Sequence, residues 1–562
     1  MKLNIKMSSA LAIVILGALV YSNSFFCSFH FDDDAYIVNC FAIRNIHNFI
    51  NIWNICPCRF ITFLSLALNY HFDRLHVLGY HVFNLSIHIA TALLVWWLCL
   101  LTFATPILKK EKISQHRQII SLLTALVFVS HPVQIEAVTY IWQRAASMAA
   151  FFYLASLCLY IKSRLLEYEK NKFDEIFYWL SLLTAALAMF TKENTITLPF
   201  MIFLYEWTFL KTSKQIDWLH LYPYWMALFI IPQTMVMTKT TRVGEIQSIV
   251  GGVGGISPLD YLCTQCRVMI TYIRLCVLPV HLNLDYDYPV YRSFFEIPVI
   301  ASLAGLGAIG FFAKKLFAKY KVLSFAISFF FLTLLPESSI LPQTDVIFEH
   351  RLYLPLVGYC LFLVCGIFYL IDRQRSFGSL KVTIGILSLL MVVNSVLTYE
   401  RNEIWKNELT LWTDTVQKSP RKARPYINRG WAYFNAGQWP QAMQDFNHAI
   451  AISPQLIYPY DDKGLIYAKQ GKLDEAIAQY NQSIQVNPYF VKVYYHRGLA
   501  FLAQKNTSNA LLDFNKAIEL DPEDVDVYID RSKLFLNQGD KARAKLDRSK
   551  AFEIDPGSSV AF

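Results

Sequence analysis

Residues 82–103 read VFNLSIHIATALLVWWLCLLTF, without one Asp, Glu, Lys or Arg. An unbroken apolar run of about 18 residues or more is long enough to cross the hydrocarbon core of a bilayer as a single helix. Residues 9–26 and 357–371 approach the same pattern, and most such runs fall in the first four hundred residues of the 562-residue chain. The whole chain is 55% hydrophobic, 15% aromatic and 17% charged, with a formal net charge of +9. A soluble core needs no such concentration of apolar helices, so the fold class read from the sequence is all-α, with a polytopic membrane domain.

The basic residues gather in short loops between apolar runs, where the preference for positive charge on the cytoplasmic side places them. Lys2 and Lys6 precede the first run, which reads as an uncleaved signal anchor, a cleaved signal peptide being the alternative. Lys109, Lys110, Lys112 and Arg117 form the next basic loop, Lys162, Arg164, Lys170 and Lys172 another, and Lys211 with Lys214 a third. Spans near Leu122, Phe152, Leu183, Met201 and Leu228 connect these loops, and further spans near Ala304, Phe329, Phe362 and Leu389 put Lys314 and Arg373 on the same side. The total is about eleven spans, by charge bias. Residues 261–280 are read as an interfacial helix, because Arg267 and Arg274 are seven apart and share one face. Membrane topology therefore explains the basicity and removes the case for nucleic acid. The eleven cysteines show neither metal spacing nor a disulfide framework, and Cys56 and Cys58, flanking Pro57, read as ordinary buried thiols.

From Ala423 the chain repeats every 34 residues, the period of tetratricopeptide (TPR) helical hairpins. Gly430, Gly464, Gly498 and Ser532 mark close helix approach, as do Ala442, Ala476, Ala510 and Ala544. Pro454, Pro488, Pro522 and Pro556 end each second helix. Trp412 and Pro420 sit one period before Phe446 and Pro454, which implies a half repeat over 400–422 after a membrane domain over 1–399. In the last repeat Arg548 takes the place of Phe446, Tyr480 and Phe514, as a solvent-facing cap requires. The second domain is thus a TPR α-solenoid over 400–562, a surface suited to peptide or protein, with oligomerisation as the plain alternative.

Residues able to carry chemistry collect on the outer side of this topology. Asp32, Asp33 and Asp34 follow the first span; like charges so close raise at least one proton affinity and suit a general base or a hard cation. His131, Glu136, Arg144, Lys192, Glu193, Glu349, His350 and Arg351 lie at span ends on the same side, where ionisable residues are costly and default to function. Lys192 and Glu193 have the simpler reading of pairing with each other.

The ordered motifs FDDDAYI (31–37), RFITFLSLALNY (59–70), GYHVFNLSIHIATALL (79–94), HPVQIEAVTYIWQRA (131–145), LAMFTKENTITLPFMIFLYEW (187–207) and EHRLYLPLVGY (349–359), followed by TPR repeats, resemble the transmembrane-and-TPR (TMTC) family of the GT-C class. The resemblance implies a glycosyltransferase using a polyprenyl-phosphate sugar, with a catalytic acid in the first external loop at Asp32 or Asp33, and Asp34 an extra acid. Arg351 is then the first candidate to grip the leaving phosphate, followed by Arg144, Lys192, His131, Arg267 and Arg274, with Glu136, Glu193, Glu349 and His350 as supporting polar groups. A magnesium or manganese ion on the aspartates is an option. The short repeat array resembles bacterial members, which suggests an inner-membrane protein with periplasmic or extracellular repeats, an ER protein with lumenal repeats being the alternative. The expected partners are the lipid bilayer, the lipid-linked donor and a protein acceptor; a non-catalytic membrane-anchored TPR scaffold is the competing function.

Overall fold

The computed structural model describes residues 5–170, 174–210, 218–237, 256–339, 341–343, 345–373 and 378–554. Lys2, Lys172, Lys211, Lys214 and Pro556, used above as topology and repeat marks, lie outside the described residues. Among the described residues every regular element is a helix. The chain divides into two compact units, Met1–Leu411 and Trp412–Phe562.

Five helices of the first unit are long and apolar enough to cross a membrane: Val77–Ala104, Ile141–Glu169, Ile297–Lys319, Pro355–Arg373 and Ser379–Ile404. Two bent pairs raise the count to seven if each is one span: Phe49–Ile55 with Pro57–Asp73, bent by 106°, and Arg117–Val129 with Pro132–Val138, bent by 54°. This is fewer than the eleven read from the sequence, for a local reason. The run near Met201 is not one α-helix but the 3-10 turn Glu193–Thr197, the eight-residue α-helix Leu198–Tyr205 and the π-helical end Glu206–Leu210, and the run near Leu228 is split into Trp218–Ala227 and Ile230–Met237. Ile5–Val20, Glu175–Met189 and Lys321–Leu334 are apolar but shorter than a full crossing. The segment expected to lie at the interface is one helix, Pro258–Val277, started by Ser257, whose hydroxyl accepts the Asp260 N–H.

The membrane unit packs through small residues, since apolar burial gives helices no preference for one another over lipid. Gly358 lets Pro355–Arg373 approach Lys321–Leu334 so closely that an added Cβ would lie 2.5 Å from the Ala326 carbonyl oxygen. Ser156 and Ser181 donate to each other's carbonyls at 2.9 and 2.7 Å, joining Ile141–Glu169 to Glu175–Met189.

The second unit is a run of helical hairpins: Ala423–Asn435 with Trp439–Ile452, Tyr458–Lys469 with Leu473–Val486, Val491–Ala503 with Thr507–Leu520, and Val525–Asn537 with Lys541–Ile554. Each small residue faces the ring sixteen positions on. A Cβ on Gly430, Gly464 or Gly498 would come within 2.5, 2.3 and 2.8 Å of the Phe446, Tyr480 and Phe514 rings. Ser532 fits in the last hairpin because its partner position is Arg548, which is half-buried there and not the solvent-facing cap expected. Bidentate ion pairs at the same spacing, Arg429–Asp445, Arg497–Asp513 and Arg531–Asp547, add a second lock that the periodicity alone did not disclose. Gly464→Val forces the buried Tyr480 ring out of its place and is expected to destabilise this unit by about 1–3 kcal/mol. Its thermal unfolding midpoint checks this, with Gln470→Ala as the surface control.

Candidate active site

The acidic run sits in a turn with an unusual start. Phe31 has φ of +48°, the left-handed region that a bulky side chain rarely adopts. The strain is held from two sides. Asp33 closes the turn by donating its N–H to the His30 carbonyl and accepting the His30 N–H on Oδ2 at 2.9 Å. Glu408 accepts the Phe31 N–H.

The three acids are thereby placed differently. Asp33 is fully buried, and its second oxygen accepts the Trp142 N–H at 2.7 Å, so both oxygens hold backbone. Burial pushes its pKa well up, the two N–H donors pull it back, and the charges of Asp32 and Asp34 raise it further. Asp32 is half-buried; its N–H donates to the Tyr140 hydroxyl at 2.9 Å, and that hydroxyl is also hydrogen-bonded to its side chain. Asp34 is exposed.

Trp142 links this turn to a second group of charges. Its ring stacks on Tyr36 with centroids 4.0 Å apart, and the Arg59 guanidinium lies over it at 5.9 Å. Arg59 grips Glu193 with two bonds, 2.5 and 3.2 Å. Lys192 pairs instead with Glu337 at 2.7 Å, so the expected Lys192–Glu193 pair does not form. The backbone explains this: Lys192 is extended, with φ −158° and ψ 141°, and successive side chains of an extended chain point to opposite sides.

Glu136 organises the third part. Its Oε2 accepts the N–H groups of Glu349 and His350 at 2.7 and 3.1 Å, and its Oε1 bonds the His350 Nδ1 at 2.8 Å. Burial, then the charges of Lys192, Arg351 and Arg59, press the His350 pKa well down, so the imidazole is neutral and Nδ1 carries its proton toward Glu136. Glu349 in turn accepts the Asn283 N–H at 2.5 Å and the Tyr286 hydroxyl at 2.6 Å. His350 therefore feels cations from three separate segments, which brings Arg59, Lys192 and Arg351 into one neighbourhood.

The remaining candidates are placed as follows. Arg351 donates to the carbonyls of Asp345 and Val346 at 2.8 and 3.1 Å, shaping its own loop. Arg144 is fully buried and its Nε, Nη1 and Nη2 reach Asn84, Asn69 and the Tyr80 carbonyl at 2.8, 2.6 and 3.2 Å. His131 caps a turn, accepting the Val133 N–H on Nδ1 while Nε2 meets the Cys276 carbonyl at 2.9 Å. Arg267 is half-buried against Thr271 at 3.3 Å, and Arg274 is exposed. Arg59, Tyr140, Trp142, Glu337 and Glu408 were not singled out from the sequence. Arg59 had a signal as the first residue of the RFITF motif, and Tyr140 and Trp142 lie within the motif at 131–145; Glu337 and Glu408 had none. Among the described residues no three His, Cys, Asp or Glu side chains come together as a metal-holding group, and Asp33, its oxygens committed to N–H donors, does not fit a cation ligand.

Glu408 gives the turn a pH dependence. Burial, then the charge of Asp34, raise its pKa from 4.5 to about 7. The protonated form is favoured by the fold, so its contribution is complete below 4.5 and lost as pH rises through about 7. The wild-type unfolding free energy is expected to fall between pH 5 and 8 relative to that of Glu408→Gln, by at most about 3 kcal/mol. Parallel curves for the two proteins contradict this assignment.

Comparison with known proteins agrees with this architecture. Models described as "Tetratricopeptide repeat" match residues 423–456 and 491–524, and one described as "TPR repeat" matches 464–505. The chain is 25% identical to "Protein O-mannosyl-transferase Tmtc3" of Drosophila melanogaster over 79% of its own length and 55% of that protein's. It is 24% identical to "Protein O-mannosyl-transferase TMTC3" of Mus musculus over 78% of its own length and 50% of that protein's. The chain thus spans about half the length of the curated relatives it matches. Among solved structures, "Crystal structure of MamA" aligns with a TM-score of 0.24 and 17% identity, covering 26% of this chain and 86% of that one. Apolar helices of membrane-crossing length, the repeats and these relatives together make the chain a TMTC-like transmembrane-plus-TPR protein.

Proposed function

We propose that the chain is a membrane glycosyltransferase that moves a sugar, with mannose the first to test, from polyprenyl phosphate to a Ser or Thr hydroxyl of an exported polypeptide. The reaction takes place on the non-cytosolic face, and the repeats capture the acceptor. The observation that carries this reading is the division of labour in the acidic turn: a buried Asp33 locked to backbone beside a half-buried Asp32, tied through Trp142 to the Arg59 and Lys192 neighbourhood. The relatives' printed names support the same class of reaction.

In this mechanism the acceptor oxygen attacks the anomeric carbon as Asp32 takes its proton, and the bond from that carbon to the phosphate oxygen breaks with inversion. The phosphate leaves as a stable anion, so catalysis is mostly positioning and charge stabilisation. Arg59 and Lys192, each with one carboxylate partner, meet the phosphate charge. Arg351 and Arg144 hold backbone and neutral side chains and shape the walls. Asp33 is a positioning residue. All these groups belong to one unit of the fold and, in this reading, to its non-cytosolic face.

Capture by the repeats is tested by removing residues 423–562. Transfer to protein is expected to fall about 10-fold or more, as loss of a tethered binding step does, while hydrolysis of the lipid-linked sugar stays near wild type. Equal losses in both reactions contradict capture.

A further inference from the structure

The corner between Phe49–Ile55 and Pro57–Asp73 carries a feature that sugar transfer does not use. Cys56, in extended backbone with φ −162° and ψ 98°, and Cys58 flank Pro57 at this 106° bend, and their sulfurs lie 3.0 Å apart. Both side chains are buried, at 5% and 6% exposure. A sulfur–sulfur bond is about 2.05 Å long, so closure needs a movement of about 1 Å. Pro57 fixes its own φ and restricts Cys56 to extended backbone, which pre-sets the pair.

The next residue is Arg59. Its two bonds to Glu193 and its position over Trp142 fix how the second helix of the bent pair meets the acidic turn. Whatever holds the corner therefore holds a cation that lies over the ring of Trp142, the residue whose N–H anchors Asp33.

We propose that Cys56 and Cys58 form an intramolecular disulfide in the membrane-inserted chain, closing a ring across Pro57 that fixes the presentation of Arg59. The two thiols lose two protons and two electrons to a disulfide-bearing oxidant, a protein or oxidised glutathione, which leaves as two thiols after a mixed-disulfide intermediate. Burial of both sulfurs means that closure precedes packing of the corner. The site needs an oxidising compartment, the premise it shares with the proposed sidedness; the labelling readout does not depend on sugar transfer, whereas the KM arm rests on the proposed function.

The test uses full-length protein in membranes prepared without reductant, and a second sample exposed to reduced glutathione during synthesis. Each is denatured in light N-ethylmaleimide, reduced, and relabelled with heavy reagent. The peptide holding Cys56 and Cys58 is expected to carry two heavy labels in the first sample and two light ones in the second, while the buried Cys99 and Cys276 carry light label in both. Two light labels on Cys56 and Cys58 in the first sample overturn the proposal. Cys56→Ser with Cys58→Ser provides the functional arm: its KM for the lipid-linked donor is expected to rise about 3-fold or more with insertion intact, as in the reduced wild type. A variant KM equal to that of the oxidised wild type overturns the link to Arg59.

Discussion

Asp32→Asn is expected to lower the rate of sugar transfer by about 100-fold or more, the loss of a positioned general base, while donor binding and insertion stay intact. The expectation follows from the uneven use of three neighbouring acids. Asp33 spends both oxygens on the N–H groups of His30 and Trp142, and Asp34 is exposed. Asp32 alone is half-buried and bonded to a hydroxyl, that of Tyr140, which can pass or hold a proton. Asp34→Asn is then expected to cost less than about 10-fold, below the range of a lost general base. Asp33→Asn puts an amide N–H2 against a backbone N–H and is expected to reduce the yield of folded protein as well as activity. Measured kcat for the three variants, each normalised to folded protein, decides among them. Full activity in Asp32→Asn removes the base from this position.

The largest structural effect is expected from Glu136→Ala. Three buried donors converge on this carboxylate: the N–H groups of Glu349 and His350 and the His350 Nδ1–H. Each donor left without a partner costs about 1–3 kcal/mol, so the sum is comparable to the whole stability of many domains. Little monodisperse protein should be recovered in detergent, and any that is recovered should melt well below wild type. Glu136→Gln keeps one acceptor oxygen and should fall between. A wild-type melting curve for Glu136→Ala would show that the loop 345–351 is held by other contacts, among them the Arg351 bonds to its carbonyls.

The repeat unit was legible in the sequence because every hairpin solves the same packing problem at the same position. Gly464 must be small because Tyr480 is large, and both fall at fixed places in a 34-residue period. The membrane core was legible as apolar runs, but length along the chain is not length of helix. The break near Leu228 splits a run that hydropathy reads as continuous into Trp218–Ala227 and Ile230–Met237.

At the candidate site the side-chain partners do not follow from the order of residues in the chain. Lys192 and Glu193 are adjacent in the chain yet bond to Glu337 and Arg59, because an extended backbone turns them apart. Arg351 and Arg144 look alike in sequence as outer-face cations. Arg144 is held by Asn84, Asn69 and Tyr80, 60 to 75 positions away, whereas Arg351 is held by carbonyls five and six positions back in its own loop. The same holds for Asp33, whose anchor on Trp142 spans 109 positions.

The most direct measurement is transfer from radiolabelled polyprenyl-phosphate mannose to acid-precipitable protein, in membranes carrying the wild-type chain or Asp32→Asn, with a nucleotide-linked mannose run in parallel. Label is expected in protein from the lipid-linked donor with the wild-type chain alone, and none taken directly from the nucleotide sugar. Equal labelling by wild type and Asp32→Asn, or no transfer from the lipid-linked donor by a correctly inserted wild-type chain, would contradict it.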